Sequence, residues 1–192
     1  MERLSEGLIR CDWSLGDPIY LKYHDEEWGR PQHDDSTLFE LLILEGMQAG
    51  LSWITILKKR ENFRKAFDFF DAEKISKYNE NKVSDLMAND GIIRNRLKIR
   101  AAINNANAFL KVKQEYGSFN SYIWRFVGGI PKKNRWSESI ELPAKSQESD
   151  TMSTALRSKG FKFVGSTICY SFMQASGMVN DHLTKCFLYR ES

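Results

Sequence analysis

The stretch IRNRLKIRAAINNANAFLKVKQ, residues 93–114, is the longest regular segment of this chain. Ile99, Ile103, Ala106 and Leu110 recur at intervals of three or four residues, so in a helix they form one apolar stripe. The segment therefore predicts a long helix with one face in a core.

Helical spacing continues on both sides of this segment. In DDSTLFELLILEGMQAG, Asp35 or Ser36 can cap a helix that ends near Gly46 or Gly50, and a further helix follows it. Residues 122–127 predict a short apolar helix.

The C-terminal part of the chain combines a loop with shorter helices. Residues 128–149 are rich in Gly, Pro, Ser and charge, and they predict a long surface loop. Asp150 then caps one helix, a second runs from about residue 167 to 176, and a last short helix carries His182 and Cys186. Because few segments alternate like strands, we predict an all-α fold.

Composition limits the class of protein. A chain of 192 residues with 42% hydrophobic content forms one domain, residues 1–192, or two small lobes that share a core around a pocket. The run LFELLIL is too short to span a bilayer, and the N-terminus lacks the apolar segment of a secretory signal. We therefore expect an intracellular protein without a membrane partner.

Basic residues form several clusters although the net charge is only +3. They lie at residues 58–60, 94–100, 111–113, 132–135 and 157–162. Any one cluster is best explained as a solvated helix face, but several together favour nucleic acid as a partner.

Four side chains could form a metal site. Cys11 and His24 near the start, with His182 and Cys186 near the end, make the Cys2His2 set that zinc prefers. A four-ligand site is closed and hence structural, and it would join segment 11–24 to segment 182–186. Spacing alone leaves an equal alternative, two hydrogen-bonded histidines and two buried thiols.

The stretch GFKFVGST, residues 160–167, predicts a tight turn between two helices. Gly165 leaves backbone N–H groups open at a helix N-terminus, where phosphate binds, and Lys159 and Lys162 lie beside it. For the motif alone an ordinary helical hairpin is the better explanation, and the two lysines shift the balance toward a contact with the DNA backbone.

A group of aromatic residues surrounds one acid in the predicted fold. A carboxylate after the apolar run LLIL is costly unless it has a purpose, and planar rings around it suit a flat, electron-poor ligand. The group is Trp13, Tyr20, Tyr23, Trp28, Glu45 and Trp53.

Long motifs of this chain resemble the 3-methyladenine DNA glycosylase I family of the helix-hairpin-helix superfamily. They are YHDEEWG, LILEGMQAGLSWITILKKRENFRKAF, GIIRNRLKI, GFKFVGSTICYSFMQASGMVNDH and HLTKC. The resemblance covers nearly the whole chain from about Cys11 to Cys186 and is weakest at 128–149. It implies an all-α fold, one structural zinc bound by Cys11, His24, His182 and Cys186, and a base pocket at the aromatic group.

The resemblance also implies a reaction and a DNA contact surface. The family hydrolyses the N-glycosidic bond of 3-methyladenine in double-stranded DNA containing alkylated bases; Glu45 reads the base and is the candidate catalytic residue. A monomer is expected. The expected DNA contacts are Gln48, Gly50, Leu51, Lys162, Val164, Gly165 and Thr167.

Two features leave alternatives open. The superfamily's usual aspartate beyond the hairpin has no clear match, because Asp181 adjoins a zinc ligand; we expect it to cap a helix or support that ligand. The alternative functions are a zinc-stabilised DNA-binding module without catalysis and a zinc hydrolase, which four protein ligands disfavour.

Overall fold

The computed structural model describes residues 7–189; the first six and last three residues of the predicted domain lie outside this range. Within it the chain forms mostly helices, as the sequence predicts. The α-helices are α1 (Pro18–Glu26), α2 (Asp35–Gln48), α3 (Trp53–Ala66), α4 (Ala72–Ile75), α5 (Glu80–Ala88), α6 (Arg96–Tyr116), α7 (Phe119–Trp124), α8 (Gln147–Ser158) and α9 (Ser166–Ala175). Across the described residues, no helix is both long and apolar enough to cross a bilayer.

Helix α6 confirms the prediction from residues 93–114. Asn95 caps it by accepting from the Lys98 amide, and Gly117 follows its last turn with a φ of 80°. Ile99 and Ala106 of the predicted stripe are fully buried. Helix α6 packs against α2, α4, α5 and α7, so it contacts helices from both earlier and later parts of the chain.

Helix α2 runs through the centre of the molecule. It packs against α3, α6, α7 and α9, and Leu38, Phe39 and Leu44 are fully buried. A helix that is apolar nearly all round is typical of such a central position. Glu45 on this helix is therefore carried into the interior, where two clusters of buried side chains meet at Trp53.

Two helix starts differ from the prediction. Asp34, not Asp35 or Ser36, caps α2, while the Asp35 carboxylate accepts from the backbone at the start of α7. Ser146, not Asp150, caps α8 through a reciprocal pair of hydrogen bonds with Ser149. Several neighbouring residues could cap each helix, so the sequence locates the start only to within a few residues.

The region of residues 128–149 is not only a surface loop. Strand β1 (Lys132–Lys133) pairs in parallel with β2 (Val179–Asn180), and Trp136 bridges to Leu183. Because residues 178–184 hydrogen-bond to this segment, they are unavailable for helical bonds. The predicted last helix is therefore wrong: His182 and Cys186 lie on a turn.

Candidate functional site

The aromatic group predicted from the sequence converges on one cavity of about 200 Å³. All six residues line it: Trp13, Tyr20, Tyr23, Trp28, Glu45 and Trp53. Four others complete the wall: Gln48, Leu142, Ser171 and Gln174. Gln48 was expected at the DNA surface. The other three were not predicted, since Leu142 lies in the predicted loop and Ser171 and Gln174 occupy unremarkable positions on α9.

Glu45 is the buried acid of this cavity. Its side chain belongs to a residue only 4% exposed, and its Oε2 atom has no hydrogen-bond partner in residues 7–189. Burial raises the pKa of Glu45 to about 8, so the carboxyl group holds a proton at neutral pH. The Trp53 indole N–H also lacks a partner within the described range. The two groups therefore offer unmatched hydrogen-bonding atoms beside a cavity.

The aromatic walls are held rigidly against one another. Trp13 packs edge-on against Trp28 at 4.9 Å and against Tyr20 at 5.5 Å between ring centroids. The Tyr20 hydroxyl accepts from the Ile54 amide at 3.0 Å in the first turn of α3, where Ser52 makes no side-chain cap. The first turn of α3 thus fixes Tyr20, and α1 and α3 together shape the pocket.

The four predicted metal ligands come together beside this pocket. Their donor atoms all lie within 4.8 Å of one another, and all four residues are buried. The Sγ–N separations are 3.7 Å for Cys11–His182, 3.6 Å for Cys186–His182 and 3.5 Å for Cys186–His24. Tetrahedral zinc with Zn–S of ~2.3 Å and Zn–N of ~2.0 Å requires S–N separations of about 3.5 Å. The donor set therefore fits zinc in type and in spacing.

The surrounding residues orient both imidazoles toward the cluster. His24 Nδ1 donates to Asp25 at 2.8 Å, which leaves Nε2 for a metal, and Arg10 holds Asp25 in turn. The Nε2 atom of His182 donates to the Trp28 carbonyl at 3.2 Å, which leaves Nδ1. The contact with the Cys11 thiol lowers the pKa of the Cys186 thiol far below its usual range.

Asp181 does not have either role expected of it. Its carboxylate neither caps a helix nor contacts His182; it accepts from Asn134, Trp136, Tyr170 and Gln174. Asp25 is the acid that contacts one of the four expected ligands, His24.

Four of the seven residues expected to contact DNA line a second depression, of about 140 Å³, that adjoins the pocket; Lys162, Val164 and Gly165 do not line it. Gln48, Gly50, Leu51 and Thr167 line it, and Glu45 is shared with the first cavity. Leu51 is 42% exposed. The start of α9 and the segment after α2 therefore border the same depression.

The hairpin between α8 and α9 provides an open helix N-terminus. Gly165 precedes α9 without a side-chain cap, Lys162 is exposed, and Asn105 clamps the Lys162 backbone from both sides at 2.7 and 2.9 Å. The Val164 side chain is buried, so only its backbone could face DNA.

The basic clusters are partly used inside the protein. Arg60 is buried and pairs with Glu27 and Glu40, and Lys98 is buried with its ammonium on the Met47 and Ala49 carbonyls. These cations stabilise the fold, so the cluster count overstated the charge available to a nucleic acid.

A helical domain with a protonated acid among aromatic rings, next to an open helix N-terminus, has the features of a protein that binds a flat base taken from a nucleic acid. The chain belongs to the methyladenine glycosylase family, whose model matches residues 13–189.

Known relatives agree with this assignment over almost the full chain. DNA-3-methyladenine glycosylase 1 of Escherichia coli (strain K12) is 50% identical over 180 residues, which cover 94% of this chain and 96% of that protein. A crystal structure of 3-methyladenine DNA glycosylase I is 52% identical and superposes with a TM-score of 0.91, covering 93% of this chain and 98% of the other. A substituted 3-methyladenine DNA glycosylase I in complex with 3-methyladenine is 38% identical with a TM-score of 0.90, covering 93% and 96%.

Proposed function

We propose that this protein is a DNA repair glycosylase that excises 3-methyladenine from alkylated double-stranded DNA and leaves an abasic site. The observation that carries the proposal is the unpartnered carboxyl group of Glu45 in a cavity walled by aromatic rings. Relatives with this fold bear the name 3-methyladenine DNA glycosylase, and one was crystallised with that base.

The chemistry of the substrate matches the pocket. Methylation at N3 gives the adenine of DNA a positive charge, and the electron-rich faces of Trp13, Tyr23 and Trp53 favour a cation over a neutral base. The unmatched Glu45 carboxyl and Trp53 N–H provide hydrogen bonds to the base edge. Burying these groups unpaired is costly, so a ligand that pairs them is bound selectively.

The reaction needs little assistance at the leaving group. The bond between the sugar C1′ and the base N9 breaks, and its electron pair neutralises the cationic base. Water adds to C1′ and releases a proton to solvent. Because the departing base requires no proton, the main contributions of the protein are flipping, selection and exclusion of water.

A structural zinc ion bound by Cys11, His24, His182 and Cys186 is part of the proposal. The ion would hold both ends of the chain against the wall of the pocket, since the Trp28 ring lines the cavity while its carbonyl holds His182. All four positions are protein ligands, so no water would be activated there.

The DNA contacts of the proposal follow the helix-hairpin-helix pattern. The N-terminus of α9, with Gly165, Thr167 and exposed Lys162, would bind backbone phosphate. The segment from Gln48 to Leu51 would occupy the space left by the flipped nucleotide, and its position beside the pocket mouth supports this.

The test is release of free base from methylated duplex DNA by the purified protein, with chromatographic identification of the products. We expect 3-methyladenine release with a matching number of abasic sites. DNA binding without base release would contradict the glycosylase and favour the non-catalytic DNA-binding module.

A further inference from the structure

Asp181 is a buried carboxylate that receives four hydrogen bonds. Oδ1 accepts from Asn134 Nδ2 at 2.7 Å and Trp136 Nε1 at 2.8 Å, and Oδ2 accepts from the Tyr170 hydroxyl at 2.7 Å and Gln174 Nε2 at 2.8 Å. The residue is fully buried. It therefore joins the segment after β1 to helix α9 through two hydrogen bonds at each carboxylate oxygen.

This network fixes which way the Gln174 amide points. The hydrogen bond runs from Gln174 Nε2 to Asp181 Oδ2, so the amide NH2 group faces Asp181. The amide oxygen is then the opposite end of the group, and no donor within residues 7–189 binds it. The backbone of Gln174 is fixed as well, because its carbonyl accepts from Gly29 at 3.1 Å.

Gln174 lines the same cavity as Glu45. The two differ in what they can recognise. A protonated carboxyl group both donates and accepts, so Glu45 alone suits a base edge that carries an amine or a carbonyl. An amide oxygen whose NH2 group is held elsewhere can only accept.

We propose that Gln174 is a specificity-determining residue of the pocket: its amide oxygen accepts from the exocyclic amine of adenine and disfavours a purine with a carbonyl at that position. Asp181 is the positioning residue that keeps the amide in this orientation. The inference rests on the proposed function and adds to it a residue that selects the amine edge. If the purine carries a carbonyl there, its oxygen and the Gln174 amide oxygen are two acceptors in a pocket without water, and each lacks a hydrogen bond. Binding of that purine is therefore strongly disfavoured.

The experiment compares binding of two free bases that differ at this edge, 3-methyladenine with an amine and 3-methylhypoxanthine with a carbonyl. Binding is followed by quenching of intrinsic tryptophan fluorescence, since Trp13, Trp28 and Trp53 line the cavity. The variant Gln174→Met keeps the side-chain length and removes the amide. Gln114→Met, at an exposed site on α6, is the matched control.

We expect Gln174→Met to weaken 3-methyladenine binding about tenfold, the size of one hydrogen bond of ~1.4 kcal/mol, with no loss for 3-methylhypoxanthine. The preference for the amine therefore narrows about tenfold. Asp181→Asn should also reduce the preference for 3-methyladenine over 3-methylhypoxanthine. The asparagine NH2 group can donate to the Gln174 amide oxygen, so the Gln174 amide is free to rotate. Gln114→Met should leave the ratio unchanged.

Two results would count against the proposal in different ways. Equal weakening of both bases by Gln174→Met would overturn the selective role while leaving the glycosylase function intact, provided that wild-type protein releases 3-methyladenine from DNA. Wild-type protein that neither binds nor releases 3-methyladenine would contradict the proposed function and this inference together.

Discussion

Glu45 illustrates at the scale of one residue how a pocket retains an unfavourable group. Desolvation disfavours the ionised carboxylate, and the raised pKa of about 8 reflects that cost. The proton reduces the cost but leaves Oε2 without a partner in the described structure. A ligand that supplies the missing partner recovers this energy, so the buried acid favours binding at the expense of stability.

The pH dependence of folding tests this directly. Between pH 4.5 and about 8 the folded protein keeps the Glu45 proton, whereas the unfolded chain loses it near pH 4.5. The folded state therefore binds more protons, and the free energy of unfolding falls as pH rises, by up to about 1.4 kcal/mol per unit. Glu45→Gln removes this decline. In urea unfolding from pH 5 to pH 8, the free energy of unfolding of the variant should rise relative to that of the wild type. If the difference between the two free energies stays constant over this range, Glu45 is already ionised in the folded protein.

Individual site residues differ in how visible they are in the sequence. Glu45 is conspicuous because an acid interrupts an apolar helix, and the tryptophans are conspicuous by type. Gln174 in CYSFMQASG carries no such signal. Its significance comes from Asp181, whose partners on the segment after β1 are brought near only by the fold.

Secondary-structure elements were predictable to the extent that they depend on local sequence. The long helices follow from the 3.6-residue period, and α6 agrees with its prediction within a few residues. Strands β1 and β2 have two residues each, and their pairing joins Lys132 to Val179, so no periodic pattern in the sequence predicts them. Non-local hydrogen bonds also explain why residues 182–186 form a turn instead of a helix.

Gly177 provides a test at the scale of elements, since it joins α9 to β2. It has a φ of 68°, and a Cβ atom there would lie 2.2 Å from the Arg30 carbonyl carbon and 2.4 Å from the Pro31 nitrogen. Gly177→Ala should lower the free energy of unfolding by about 3 kcal/mol or more through strain and overlap. Gly117→Ala has a similar φ of 80° with no atom within 4 Å, so we expect only about 1 kcal/mol. If chemical denaturation shows the same loss in the free energy of unfolding for both variants, the overlap with Arg30 and Pro31 does not contribute to the destabilisation.

The described residues form a main helical core and a smaller cluster that joins residues 11–28 to residues 183–188. Cys11 and Trp28 lie in the smaller cluster with Leu183 and Cys186. Trp13 and Trp28 contact the histidines and also line the cavity, so the expected zinc site adjoins one wall of the pocket. Residue types alone suggest the four ligands as one candidate set, the resemblance to the family makes that set a firm prediction, and the fold brings the donor atoms within 4.8 Å of one another.

Loss of one ligand tests the zinc site. Cys186→Ser should lower zinc content from about one ion per chain to near zero and lower Tm by about 10 °C or more, because structural zinc contributes directly to folding. Cys169→Ser, which changes a buried thiol outside the cluster, should keep its zinc. Elemental analysis measures the zinc content and thermal unfolding measures the Tm. Wild-type protein that keeps its Tm after its zinc has been removed would contradict the structural role.

The central claim is that Glu45 and the rings around it select 3-methyladenine. The most direct measurement is the rate of 3-methyladenine release from methylated duplex DNA by Glu45→Gln, beside the exposed control Glu73→Gln. We predict a loss of about 10- to 100-fold for Glu45→Gln, the equivalent of a ~1.5–3 kcal/mol hydrogen bond to a charged group, with a folded protein and an unaffected control. Full activity of folded Glu45→Gln would contradict the account.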